Sequence, residues 1–174
     1  MSRNRTETHI HFVHCTATRA KTDIGVRTIE GWHTNRGIYS ERGLTGYHYV
    51  VRRSGHIELG RDLPAVGAHV RGWNHESIGT CLVGGARRVR DGEVAEWDTF
   101  VSEDNFEATQ KASLEQIHRT LMLIYPSIIL APHYAVSVKS CPAFDVWAWQ
   151  RATFGQDDSL RFAEYKAAVE EEAD

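Results

Sequence analysis

HIHFVHC, residues 9–15, sets apolar Ile10, Phe12 and Val13 among three histidines and closes on a cysteine. The run has the period of a β-strand, so Ile10, Phe12 and His14 share one face while Val13 and Cys15 share the other. His9 and His11 fall opposite His14 and are expected on the strand surface, and Cys15 is expected to act as a small buried hydrophobe. The polar stretch TATRAKTD, residues 16–23, then reads as a loop, with Asp23 a candidate cap for the next element.

Working outward, Val26, Ile29 and Trp32 recur at helical spacing from Gly25, and Gly37 suits the end of that helix. GYHYVVRRSGHIELG, residues 46–60, carries two β-rich runs around Ser54 and Gly55, a hairpin pattern. SIGTCLVGG, residues 77–85, reads as a buried strand in which Cys81 is a second small hydrophobe. Leu114, Ile117, Leu121 and Ile124 mark a long helix that stops at Tyr125-Pro126, and SIILAPH, residues 127–133, returns as a short strand. Asp145 is placed to cap a further helix beginning DVWAWQRA, and the last fifteen residues form a helix with an acidic, frayed end. Between Ala86 and Asn105 the chain is charged and patternless, which predicts a surface excursion prone to disorder.

Interleaved strands and helices predict an α/β fold: a central mixed β-sheet flanked by helices. At 174 residues one domain is expected, with a core over about residues 8–152, a surface insertion at 86–104 and a helical acidic tail at 155–174. The net charge of −3 and pI near 6.4 argue against a nucleic-acid partner, and no apolar run reaches the roughly 20 residues of a membrane helix. The N-terminus lacks the apolar core of a signal peptide, so retention in the cytoplasm is expected. Three cysteines, an odd number, make no disulfide framework, whereas 10 histidines invite a search for metal or acid–base chemistry.

That search leads to PHYAVSVKSC, where His133 precedes Cys141 by eight positions and a loop must fold back to join them. Zinc accepts thiolate and neutral imidazole, and a catalytic zinc typically takes three protein ligands with one position open to water. His14, at the end of the first strand where the apolar row stops, is the best third ligand. Lys139 could then serve a developing oxyanion and Tyr47 could offer a phenol. A His–Cys pair at this spacing is equally open to a structural reading. Taken singly, Lys139 is an ordinary solvated lysine and Tyr47 a half-buried strand aromatic.

Together FVHCTAT, GVRTIEGWH, GYHYVVRRSGHIELGRD, AVGAHVRGWNHESIGTCLVGG and PHYAVSVKSCPAFD resemble, in order over about residues 10–150, the zinc-dependent N-acetylmuramoyl-L-alanine amidases of the small phage lysozyme type, relatives of peptidoglycan recognition proteins. The resemblance implies zinc held by His14, His133 and Cys141, with Tyr47 and Lys139 catalytic. It implies His69, Asn74 and His75 as substrate contacts and a zinc cleft at one side of the sheet. The implied substrate is the peptidoglycan muropeptide, cut by zinc-activated water at the amide between N-acetylmuramic acid and L-alanine. The implied agent is a monomeric phage or prophage endolysin that lyses the host, held in the host cytoplasm until another protein permeabilises the membrane. The insertion at 86–104 and the acidic tail depart from the family pattern and leave room for altered substrate preference or a regulatory protein partner. Two rivals stand beside this reading. One is a recognition module that binds without cleaving, although such modules typically lack the zinc cysteine. The other is a cysteine peptidase with Cys141 as nucleophile and His133 as base.

Overall fold

In the computed structural model, residues 4–37, 45–96 and 99–172 are described. Strand β1 (Ile10–Cys15) lies between β4 (Ser77–Leu82) and β7 (Ile129–Pro132), parallel to both. Outside β4 runs β2 (Tyr49–Val51), also parallel, and β3 (Ile57–Leu59) closes the edge antiparallel to β2. The sheet order is β3-β2-β4-β1-β7, and the β2–β3 hairpin turns at Ser54-Gly55 as its sequence predicts. Around the sheet are α1 (Val26–Asn35), α2 (Ala108–Ile124), α3 (Val146–Phe154) and α4 (Ser159–Glu172).

Both faces of β1 are buried. Ile10 and Phe12 pack with Ile129, Ala131, Val70 and Phe162 of α4. On the other side, Val13 joins Leu130, Ile78 and Leu82 against Leu114, Ile117 and Leu121 of α2 and Val146 of α3. A largely parallel sheet covered on both sides leaves no solvent face, which corrects the surface placement of His11. That ring is wholly buried, 2.8 Å from Thr80 Oγ1 through Nε2 and 3.1 Å from His118 Nδ1 through its own Nδ1. His9 is half-buried and bonds Glu7 at 2.9 Å.

Asp23 does not cap α1. Its carboxylate accepts from Arg52 Nη2 at 2.8 Å, and the free Val26 amide of α1 donates instead to Glu58 Oε2 of β3 at 2.6 Å. Asp145 does cap α3, accepting from the Ala148 amide at 2.9 Å, and α2 opens with a capping box between Glu107 and Gln110. The stretch from Ala86 is not patternless: β5 (Ala86–Arg88) pairs antiparallel with β6 (Phe100–Ser102). Its charges pair with one another, Arg87 forking onto Glu93 at 2.6 and 2.8 Å, and Val101 is buried beneath. Residues 97–98 of that segment and 173–174 of the acidic tail lie outside the described residues. Among the described residues no helix is long and apolar enough to cross a membrane.

Burying imidazoles makes stability depend on pH. Burial pushes the His48 pKa from 6.5 down to about 3 and that of His118 down to about 4, and burial with the neighbouring His118 pushes His11 down as well. A lowered folded pKa means that the unfolded chain takes up protons first, so stability is full above about pH 6.5 and drains as pH falls toward these values. At about 1.4 kcal/mol per unit, His118 alone accounts for on the order of 3 kcal/mol. Urea unfolding is expected to shift to a clearly lower midpoint between about pH 7 and about pH 4.5; an unchanged midpoint would refute the assignment.

Candidate active site

Two of the three candidate ligands sit where a strand runs out. His14 is the last but one residue of β1, and His133 follows β7 directly as the first residue of a short 3-10 turn, His133–Val136. Because β1 and β7 are parallel neighbours, both leave the same carboxyl edge of the sheet, where ligands bind in open α/β sheets. The next loop folds back as the spacing required: the Tyr134 amide donates to the Cys141 carbonyl at 2.8 Å, returning Cys141 beside His133. The Cys15 amide points at Cys141 Sγ, 3.3 Å away. As a result His14, His133 and Cys141 each present one donor atom, all within 4.8 Å of one another.

The cleft around these donors encloses about 1050 Å³. It is lined by the end of β1 with Thr16 and Thr18, by Ile29 and Trp32 of α1 with Arg36 just beyond that helix, and by Lys139, Ser140 and Glu96. Tyr47 enters just before β2, its ring 5.1 Å from that of His14. Lys139 is exposed on the rim, its amide donating to Ser137 Oγ at 3.2 Å.

Burial, with neighbouring imidazoles adding to it, holds His14 well below its ordinary pKa, and burial with the nearby Lys139 brings His133 down to about 4. Both are neutral at pH 7 and can use a lone pair on a metal. A hydrogen bond with Cys15, 3.9 Å away sulfur to sulfur, and burial push the Cys141 thiol up. A divalent cation reverses that preference, because a coordinating thiol gives up its proton. Burial and then the neighbouring thiols raise the Tyr47 phenol, which therefore stays protonated and able to donate. Two neutral imidazoles and one thiol, close enough to share an ion with bonds of about 2.0–2.3 Å, suit a borderline-soft metal.

The description "N-acetylmuramoyl-L-alanine amidase" belongs to the family model that matches residues 4–144. The chain belongs to that amidase family. An endolysin of Enterobacteria phage K11 is 40% identical over 145 residues, covering 83% of this chain and 87% of the relative. The endolysin of Escherichia phage T7 is 39% identical over 147 residues, 84% and 88% of the two chains. Among solved structures, Drosophila PGRP-LB shares the fold with a TM-score of 0.68 at 17% identity, covering 91% of this chain and 89% of that one.

The amidase fold thus brings together five of the residues that the sequence singles out: His14, Tyr47, His133, Lys139 and Cys141 all line one cleft. The other three lie elsewhere. Asn74 Oδ1 accepts from the His69 and Val70 amides at 2.8 and 2.9 Å, the His69 ring lies behind His14, and the exposed His75 points away toward Glu76. Sequence reasoning missed Trp32, Arg36 and Glu96 as cleft residues. Trp32 shared a helical stripe with core positions, and only its 38% exposure in the fold marks it as a wall. This is a peptidoglycan amidase of the phage endolysin type.

Proposed function

We propose that the amidase hydrolyses the bond between the lactyl group of N-acetylmuramic acid and L-alanine with a zinc ion held by His14, His133 and Cys141. The convergence of these three donors in an open cleft beside Lys139 and Tyr47 carries the proposal. A bound zinc supplies Lewis acidity, polarising a carbonyl and lowering the pKa of water. The chain's own groups do the rest. Lys139, on the rim, offers a cation where negative charge develops on the amide oxygen, and Tyr47 keeps a phenolic proton within the cleft for the leaving amine. Its volume, about 1050 Å³, accommodates a sugar with the first residues of a peptide.

The protein acts in this reading on the wall of a lysing host, reached from the cytoplasm once the membrane has been breached, and acts as a single chain. On purified peptidoglycan the protein should release new L-alanine amino termini and no new reducing sugar ends, and a chelator should stop it. Cleavage that survives chelation favours a nucleophilic Cys141; bound zinc with no bond broken makes the chain a recognition module.

A further inference from the structure

We propose that His69 is a positioning residue: it fixes the tautomer and orientation of His14 and thereby sets metal affinity, rather than touching substrate. The inference rests on the zinc reading above and concerns what stands behind its first ligand.

His14 Nε2 lies 3.1 Å from His69 Nδ1, and the two rings stand at 83° with centroids 5.1 Å apart, so one nitrogen aims at the other edge-on. One of the two must donate. A metal taken by His14 Nδ1 requires the ring proton on His14 Nε2, which makes His69 Nδ1 the acceptor of the 3.1 Å bond. His14 then carries its proton on Nε2 and turns the lone pair of Nδ1 outward to the other donors. A metal-bound imidazole is commonly held this way, its second nitrogen bonded to a partner that selects the tautomer.

The fold builds a seat for that ring. Gly67 and Gly79 pack flat against it: an added Cβ at Gly67 would come within 2.5 Å of His69 Cδ2, and one at Gly79 within 2.7 Å of Cγ. Gly79 belongs to β4, which pairs directly with β1, so one sheet register sets the distance between the slot and His14. The main chain at His69 is held by Asn74 Oδ1, which accepts from the His69 and Val70 amides. Phe12 closes the slot with its edge, 6.3 Å from the His69 ring. His69 is not among the residues lining the cleft around the three donors.

The test measures zinc affinity by competition with a chelator of known strength, on folded protein checked by circular dichroism. His69→Leu keeps bulk but removes the acceptor and is expected to weaken zinc binding by about 10–100-fold. His69→Asn keeps an oxygen near the position of Nδ1 and should recover most of that loss. When each variant is saturated with zinc, KM for peptidoglycan should be unchanged. Should His69→Leu fail to fold, His69→Ala against His69→Asn gives the same comparison. Equal zinc affinity across wild type, the apolar variant and Asn overturns the inference, as does a raised KM with affinity intact, which would make His69 a substrate contact. A wild-type chain that takes up no zinc overturns the zinc reading itself and this inference with it.

Discussion

Cys141→Ser is expected to empty the metal site and abolish amidase activity. The wild type should carry about one zinc per chain; the variant offers an alcohol where a thiolate is needed, and the two imidazoles alone make a weak pair. Losing a Lewis acid worth several kcal/mol corresponds to about 10³-fold in rate or more. The fold should survive, because the bond that returns this loop to His133 runs through the Cys141 carbonyl and not its sulfur. Metal analysis and release of L-alanine amino termini, each with and without a chelator, decide the matter. A nucleophilic cysteine also loses activity on Cys141→Ser, but its wild type is indifferent to chelation. Wild-type activity that persists after complete metal removal would sink the zinc assignment.

The second large effect belongs to Lys139. It is no metal donor, and it stands exposed on the cleft rim two residues before Cys141. Lys139→Ala should therefore retain zinc and fold while losing about 10²–10³-fold in kcat, the usual cost of removing one group that stabilises a developing oxyanion. KM should move little, since an interaction made only in the transition state does not contribute to ground-state binding. Tyr47→Phe probes the proton side of the same step and should lower kcat by about 10²-fold. A kcat for Lys139→Ala within about threefold of wild type, at full zinc occupancy, would leave this lysine an ordinary surface charge.

Much of this was legible in the sequence because short-range rules govern it. The period of residues 9–15 gave a strand, Ser54-Gly55 a hairpin, Asp145 a helix cap, and the order of the motifs gave the family together with five cleft residues. A period, however, says which residues share a face and is silent on what covers that face. His11 alternates like a surface residue, yet α2 lies over it, so its ring is buried against His118. Trp32 keeps the spacing of a core stripe, yet α1 sits at the cleft, where the ring becomes a wall. Charges mislead in the same way: Arg87 and Glu93 read as solvated disorder until a hairpin pairs them. Likewise Glu58 takes the capping role expected of Asp23, because the α1 terminus meets a carboxylate from β3 while Asp23 pairs with Arg52.

By itself, then, the sequence determined the sheet's five strands and the helices, their order and the chemical types of the candidate donors, but not the β5–β6 hairpin, since the former depend on neighbours a few residues apart. The tertiary structure alone decided that His14, His133 and Cys141 come within 4.8 Å of one another and that His69 backs His14. Those contacts join His14 to residues 55 to 127 positions further along the chain, and parallel pairing of β1 with β4 and β7, set by burial on both faces of the sheet, is what brings them together.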